Sequence, residues 1–175
     1  MKLTFYVEGI RETTRGKQVI VSRAHPGLVE GLFKREVPEV SSGAVEMKEI
    51  SREAGSRTKI AVYSKQTGVD PVGSCVGQKG VRVQAVIEGL GGMEKVDIVQ
   101  YSDNPEKFIA AALSPAENLE VEINAKDRSA VVSADEKDLS LAIGKEGQNA
   151  RLASKLTGFR IDIRPKKEEK AVESE

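Results

Sequence analysis

Two eight-residue strings, Val76–Val83 (VGQKGVRV) and Ile143–Ala150 (IGKEGQNA), lie 67 residues apart and carry the same Gly-x-x-Gly spacing behind a branched apolar residue. An internal repeat of this kind obliges the chain to build one supersecondary unit twice. In the first copy, Pro26-Gly27 opens an amphipathic helix with Leu28, Leu32 and Phe33 on one face and Pro38 closing it. Strands are expected over Val45–Ile50 and Lys59–Tyr63, then a helix Pro71–Val76 with Asp70 as N-cap, ending at Gly77. A helix Val81–Leu90, stopped by Gly91-Gly92, and a strand Lys95–Gln100 complete it. In the second copy Asn104 caps a helix Glu106–Leu113, and strands follow at Leu119–Ile123 and Ala130–Val132. A helix Glu136–Ile143 capped by Asp135, a helix Gln148–Leu156 and a strand Phe159–Ile163 close the chain's ordered part. Both copies read α-β-β-α-α-β, which places the chain in the α+β class.

Outside the repeat the pattern changes. Leu3, Phe5 and Val7 alternate with polar residues, as do Val19 and Val21, so a β-hairpin is expected with Arg11–Lys17 as its polar connection. From Pro165 on there is almost nothing to bury, and a disordered charged tail is expected. The expected division is a partial β segment over 1–24, modules over 25–102 and 103–164, and the tail over 165–175. The link Tyr101–Asn104 is too short for independent tumbling, so the modules are expected to act as one extended surface.

Composition narrows the function. Aromatic residues make up 4% with no Trp, which disfavours nucleic-acid readers that stack bases on aromatic platforms. Net charge is zero, and no segment is more basic than the first 36 residues at +3, so charge alone will not hold a polyanion. One cysteine, Cys75, excludes an internal disulfide framework and fits a reducing compartment. No apolar run reaches 18 residues, so a soluble, cytoplasmic protein without membrane attachment is expected, as a monomer.

The chemistry lies in the repeated turns. Without Cβ atoms a Gly-x-x-Gly turn can take left-handed dihedrals and let a sugar-phosphate chain come close. The helix that follows points free N–H groups and its positive dipole end at the same place. Gly77 and Gly80 open one such helix, and Gly144 and Gly147 the other. Lys79 and Lys145 sit inside the turns, with Arg82 and Arg151 one helical turn on, all within reach of phosphates. Sixteen glycines give about 1.4 pairs at this spacing by chance, and a third pair, Gly89 and Gly92, only closes a helix. Two copies in register within the same frame are the specific signal.

The pattern [Val/Ile]-Gly-x-x-Gly-x-x-[apolar] resembles the KH family, and the α-β-β-α-α-β order resembles its bacterial, type II form. Four longer strings, at Val21–Val29, Arg57–Tyr63, Val69–Gly80 and Leu139–Leu152, are similar to the NusA family of bacterial transcription elongation factors. The resemblance covers about residues 3–164. It implies two tandem KH domains after an S1/OB-like domain, of which residues 1–24 would be the last strands, binding nascent single-stranded RNA beside RNA polymerase and other transcription factors. It implies a part in elongation, pausing, termination and antitermination. The family's RNA-contacting positions fall on Gly77, Gln78, Lys79, Gly80 and Arg82, and on Gly144, Lys145, Glu146, Gly147, Gln148, Asn149 and Arg151. The polymerase-binding N-terminal domain of the family does not precede these residues here, which points to a fragment or a shortened relative.

Nothing else forms a catalytic constellation. Cys75, beside Val72 and Val76, reads as a buried structural thiol, and His25, the single histidine, cannot build a triad or a metal site. Glu120 and Glu122 alternate along a strand and face water. No enzyme activity, cofactor or metal is expected. Two other classes compete: a KH-based protein-interaction platform, suggested by zero net charge and Glu146, and an RNA-binding protein of ribosome assembly.

Overall fold

The computed structural model describes residues 2–166. The chain divides into two compact units, one ending at Asp103 and one beginning at Asn104. The first opens with a hairpin of β1 (Tyr6–Thr13) and β2 (Gly16–Ser22). The expected loop Arg11–Lys17 is mostly strand: Arg11 stands opposite Gln18 and Glu12 opposite Lys17 in the ladder, and the Glu12 and Lys17 side chains form an exposed ion pair at 3.8 Å. Only Thr14 and Arg15 turn, held by Thr13 Oγ1, which donates to Gly16 O at 2.8 Å.

Helix α1 (Pro26–Glu36) follows, and His25 caps it: Nδ1 accepts from Gly27 N at 3.0 Å while the imidazole stacks on Tyr6. Pro38 does more than stop this helix. It occupies the first turn of a short second one, α2 (Pro38–Ser41), where its missing N–H costs nothing. Strands β3 (Glu46–Glu53), β4 (Arg57–Tyr63) and β5 (Lys95–Gln100) form a sheet in that order, antiparallel then parallel. Between β4 and β5 run α3 (Pro71–Val76) and α4 (Val81–Gly89), separated by a 3-10 turn. Leu28, Val29, Leu32 and Phe33 of α1 pack with Ile60, Val62, Cys75 and Val86 into one buried core.

The second unit repeats the frame. Helix α5 (Pro105–Ala112) is capped by Asn104, whose Oδ1 accepts from Lys107 N at 3.0 Å. Strands β6 (Glu120–Asn124), β7 (Ser129–Ala134) and β8 (Arg160–Pro165) again pair antiparallel then parallel. Helices α6 (Glu136–Ile143) and α7 (Gln148–Thr157) flank the second 3-10 turn. The last strand extends past the expected Ile163: Pro165 lies in it, and Lys166 N donates to Ala134 O at 2.9 Å. The rest of the expected tail, 167–175, lies outside the described residues. The α-β-β-α-α-β order is present twice.

Candidate nucleic-acid interface

The two turns have the same backbone. Gly77 and Gly144 both sit at φ 76°, ψ 170°, Lys79 and Glu146 at φ 53° and 54°, and Gly80 and Gly147 at φ 76° and 72°. Gly77 N donates to Gly73 O and Gly144 N to Ser140 O, each at 2.9 Å, so the same glycine ends one helix and opens the turn. Gly80 N and Gly147 N then close the turns onto Gly77 O and Gly144 O at 3.1 Å. Besides their left-handed dihedrals, Gly77 and Gly144 are required by space. A Cβ on Gly77 would lie 2.7 Å from Arg82 Cγ, and one on Gly144 2.7 Å from Asn149 Cβ.

The sequence-expected residues separate into two groups. Gln78, Lys79, Lys145 and Glu146 are exposed on the turns, and Gln148 is partly exposed at the start of α7. Arg151 stays beside its turn, Nη1 donating to Glu146 O at 3.1 Å. Arg82 and Asn149 bond back onto the fold, Arg82 from a partly exposed position and Asn149 from a buried one. Arg82 Nη1 donates to Ser74 O at 2.7 Å and to Glu39 Oε2 at 2.9 Å. Asn149 is fully buried, with Nδ2 near Leu113 O, Leu141 O and Ala142 O at 3.0, 3.1 and 3.0 Å. Its side chain therefore has no route to a surface ligand, and only its backbone can serve one. The 67-residue offset puts Arg82 over Asn149 and Ser74 over Leu141, so both residues hold the last carbonyls of the helix before the turn. That offset, applied to Arg82 itself, would have paired it with Asn149 instead of Arg151.

Asp70 and Asp135 occupy the expected N-cap positions but make no capping hydrogen bond with their side chains. Beside the first turn the surface opens into a cleft of about 680 Å³ whose walls include Glu39, Asp70, Ser74, Gln78 and Arg82. Cys75 on α3 is fully buried, and burial pushes its thiol up to about 11, which keeps it protonated and inert. Among the described residues no group of three or more His, Cys, Asp or Glu side chains could hold a metal ion, and no helix is long and apolar enough to cross a membrane.

A paired sheet-and-helix unit with a Gly-x-x-Gly turn at the same place in each copy defines a tandem KH protein. Residues 23–101 match the NusA-like first KH domain and residues 105–171 the NusA-like second KH domain, together most of the chain. The chain belongs to the NusA family. It is 52% identical over 163 residues to the transcription termination/antitermination protein NusA of Bacillus subtilis, covering 93% of this chain and 44% of that one. The protein of the same name from Mycobacterium tuberculosis H37Rv is 50% identical over 164 residues, covering 93% and 47%, and that of Thermus thermophilus 48% over 160, covering 91% and 41%. The chain thus spans less than half the length of these relatives. A solved structure described as that of APE1850 shares the fold, with a TM-score of 0.53 at 24% identity, covering 78% of this chain and 95% of that one.

Proposed function

We propose that this chain binds single-stranded RNA without catalysis, one short stretch of sugar-phosphate at each Gly-x-x-Gly turn, as part of the control of transcription. The observation that carries this reading is the identity of the two turns in backbone dihedrals, combined with side chains on both that reach outward. Each turn delivers the N-terminus of a helix of nine or ten residues, whose first N–H groups have no partner within the helix. A phosphate there meets N–H donors, the dipole, and a lysine, Lys79 or Lys145. The relatives are named for transcription termination and antitermination. Nascent RNA at RNA polymerase is accordingly the proposed setting, with any polymerase contact left to other parts of such a protein. Phe5, Val7, Val19 and Val21 are exposed on or beside the hairpin, as expected if β1 and β2 are the last strands of an S1-like barrel.

The test replaces Gln78-Lys79 and Lys145-Glu146 with Asp-Asp. The turn glycines stay, the four side chains are exposed, and stability should move by less than about 0.5 kcal/mol per site. Either pair should weaken binding of an unstructured RNA, and both together should abolish it, because carboxylates then stand where phosphates would lie. A folded quadruple variant that binds RNA normally would overturn the reading and favour a protein-interaction role, for which the exposed Glu146 is the supporting observation.

A further inference from the structure

We propose that the exposed face of α7, with the loop before β7, carries the RNA backbone about 10 Å beyond the second turn, and that the first module has no such track. The inference rests on the RNA-binding reading above and adds a second stretch of contact to one module only.

Gln148, Arg151 and Lys155 recur at spacings of three and four, which sets them along one face of the helix. Leu152, Ala153 and Leu156 hold another face in the core, while Arg151 and Lys155 are exposed. The line starts at the turn, where Arg151 bonds to Glu146 O, and ends with Lys155 in the last turn of α7. There Arg128, exposed in the loop before β7, continues it. Its Nε donates to Gly158 O at 3.2 Å, and its guanidinium lies 5.2 Å from the centre of the Phe159 ring. A guanidinium braced in this way offers a fixed fork of N–H groups, the form that suits a phosphate. The neighbouring carboxylate, Asp127, is engaged elsewhere, with Ser129 Oγ at 2.6 Å and Arg160 at 3.6 Å.

Lysine and arginine at the end of a helix also have an ordinary use, which is to offset the negative end of its dipole. That end amounts to about half a charge, whereas Lys155 and Arg128 bring one full charge each. The surplus is available to an anion. The first module shows that the fold does not need it. The 67-residue offset sets Val81, Gln84 and Glu88 on the corresponding face of α4, with no cation among them. Lys95 N donates to Ser56 O as Arg160 N does to Arg128 O, so Ser56 stands where Arg128 does. The carbonyl end of α4 is met instead by Arg23 beside the hairpin, whose Nη2 donates to Gly89 O at 3.2 Å. A chain of phosphates is the ligand that matches a line of cations along a helix. RNA seated at the second turn has only to continue along α7 to reach them. With one phosphate at each turn and one or two on the track, the total is about three or four.

The probe is U12 RNA, titrated against the whole chain by fluorescence anisotropy at several salt concentrations. Lys155→Glu installs the residue of the first module and should weaken binding about tenfold. It should also make the slope of log K against log salt shallower by about 0.7, the value of one phosphate on a single strand. Arg128→Ser should do the same, and Arg128→Lys should lose less. Lys34→Glu is the matched control, an exposed lysine in the last turn of α1. It should change U12 binding by less than about twofold. Equal losses in Lys155→Glu and Lys34→Glu would show diffuse attraction and overturn the track. Unchanged U12 binding in both Lys155→Glu and Arg128→Ser would overturn it too. If the turn substitutions still abolish binding in that case, the RNA reading stands and only the track falls. If the intact chain does not bind U12, both readings fall together. Polyglutamate that binds the intact chain and is lost in Lys155→Glu, while U12 is not, would assign the track to an acidic protein and overturn it as an RNA site.

Discussion

Asn149 illustrates how a polar residue beside a binding turn can serve the fold first. Its amide reaches three carbonyls, two of them at the end of α6, from a fully buried position. Replacing it with alanine removes this donor from the Leu141 and Ala142 carbonyls, while Leu113 O keeps the Ala116 N–H at 3.1 Å, and should cost about 2–3 kcal/mol, read as a lowered midpoint in chemical denaturation. Arg82→Ala should cost less, roughly 1 kcal/mol or below, because its pairing with Glu39 is about one-third exposed and screened by water. Equal losses would contradict this division. The glycine spacing was legible from the string alone, since few residues tolerate the turn's dihedrals. The burial of Asn149 and the bonding of Arg82 back to Ser74 O and Glu39 were not, because polarity was taken to mean exposure. A buried amide capping a helix has the same letter as one reaching for a phosphate.

At the scale of elements, the helix and strand order was readable because periodicity and Pro/Gly punctuation are local. What ties the elements together was not. Arg52 on β3 and Glu94 before β5 form a bidentate pair at 2.8 and 3.0 Å, with side chains 3% and 1% exposed. Thr58 Oγ1 and Gly55 N also donate to Glu94, and Arg52 Nη1 donates to His25 O, so the pair joins the sheet to the start of α1. No periodic signal links residues 42 apart. The second unit places Phe159 before its last strand, beneath the Arg128 guanidinium. Burial alone would raise the Glu94 carboxyl, but the hydrogen bonds from Arg52, Thr58 and Gly55 outweigh it and hold the group below its ordinary 4.5. With a depressed folded value, its contribution is fully present above 4.5 and is lost as pH falls through the folded value. Glu94→Gln strands a buried guanidinium and should cost about 3–5 kcal/mol at neutral pH. It should also flatten the acid limb of the stability curve, measured by denaturation at a series of pH values below 5. A variant with wild-type stability and an unchanged acid limb would show the pair to be incidental.

For the molecule as a whole, a net charge of zero becomes a quantitative constraint on how it meets RNA. A binder that worked by overall attraction would need many phosphate contacts and would be strongly salt-dependent. Here the proposed contacts are two turns, each with a helix N-terminus and one lysine, so only a few phosphates are neutralised. The slope of log K against log salt for a single strand should therefore be about −1.4 to −2.8, corresponding to two to four phosphates. Such turns reach a backbone whose bases can splay away from it, which an A-form helix does not allow. An unstructured RNA should bind at least tenfold more tightly than a duplex containing the same strand, measured by competition at fixed salt. Equal affinity for strand and duplex, or a slope steeper than about −5, would mean that diffuse basic attraction holds the RNA and that the turns do not select it.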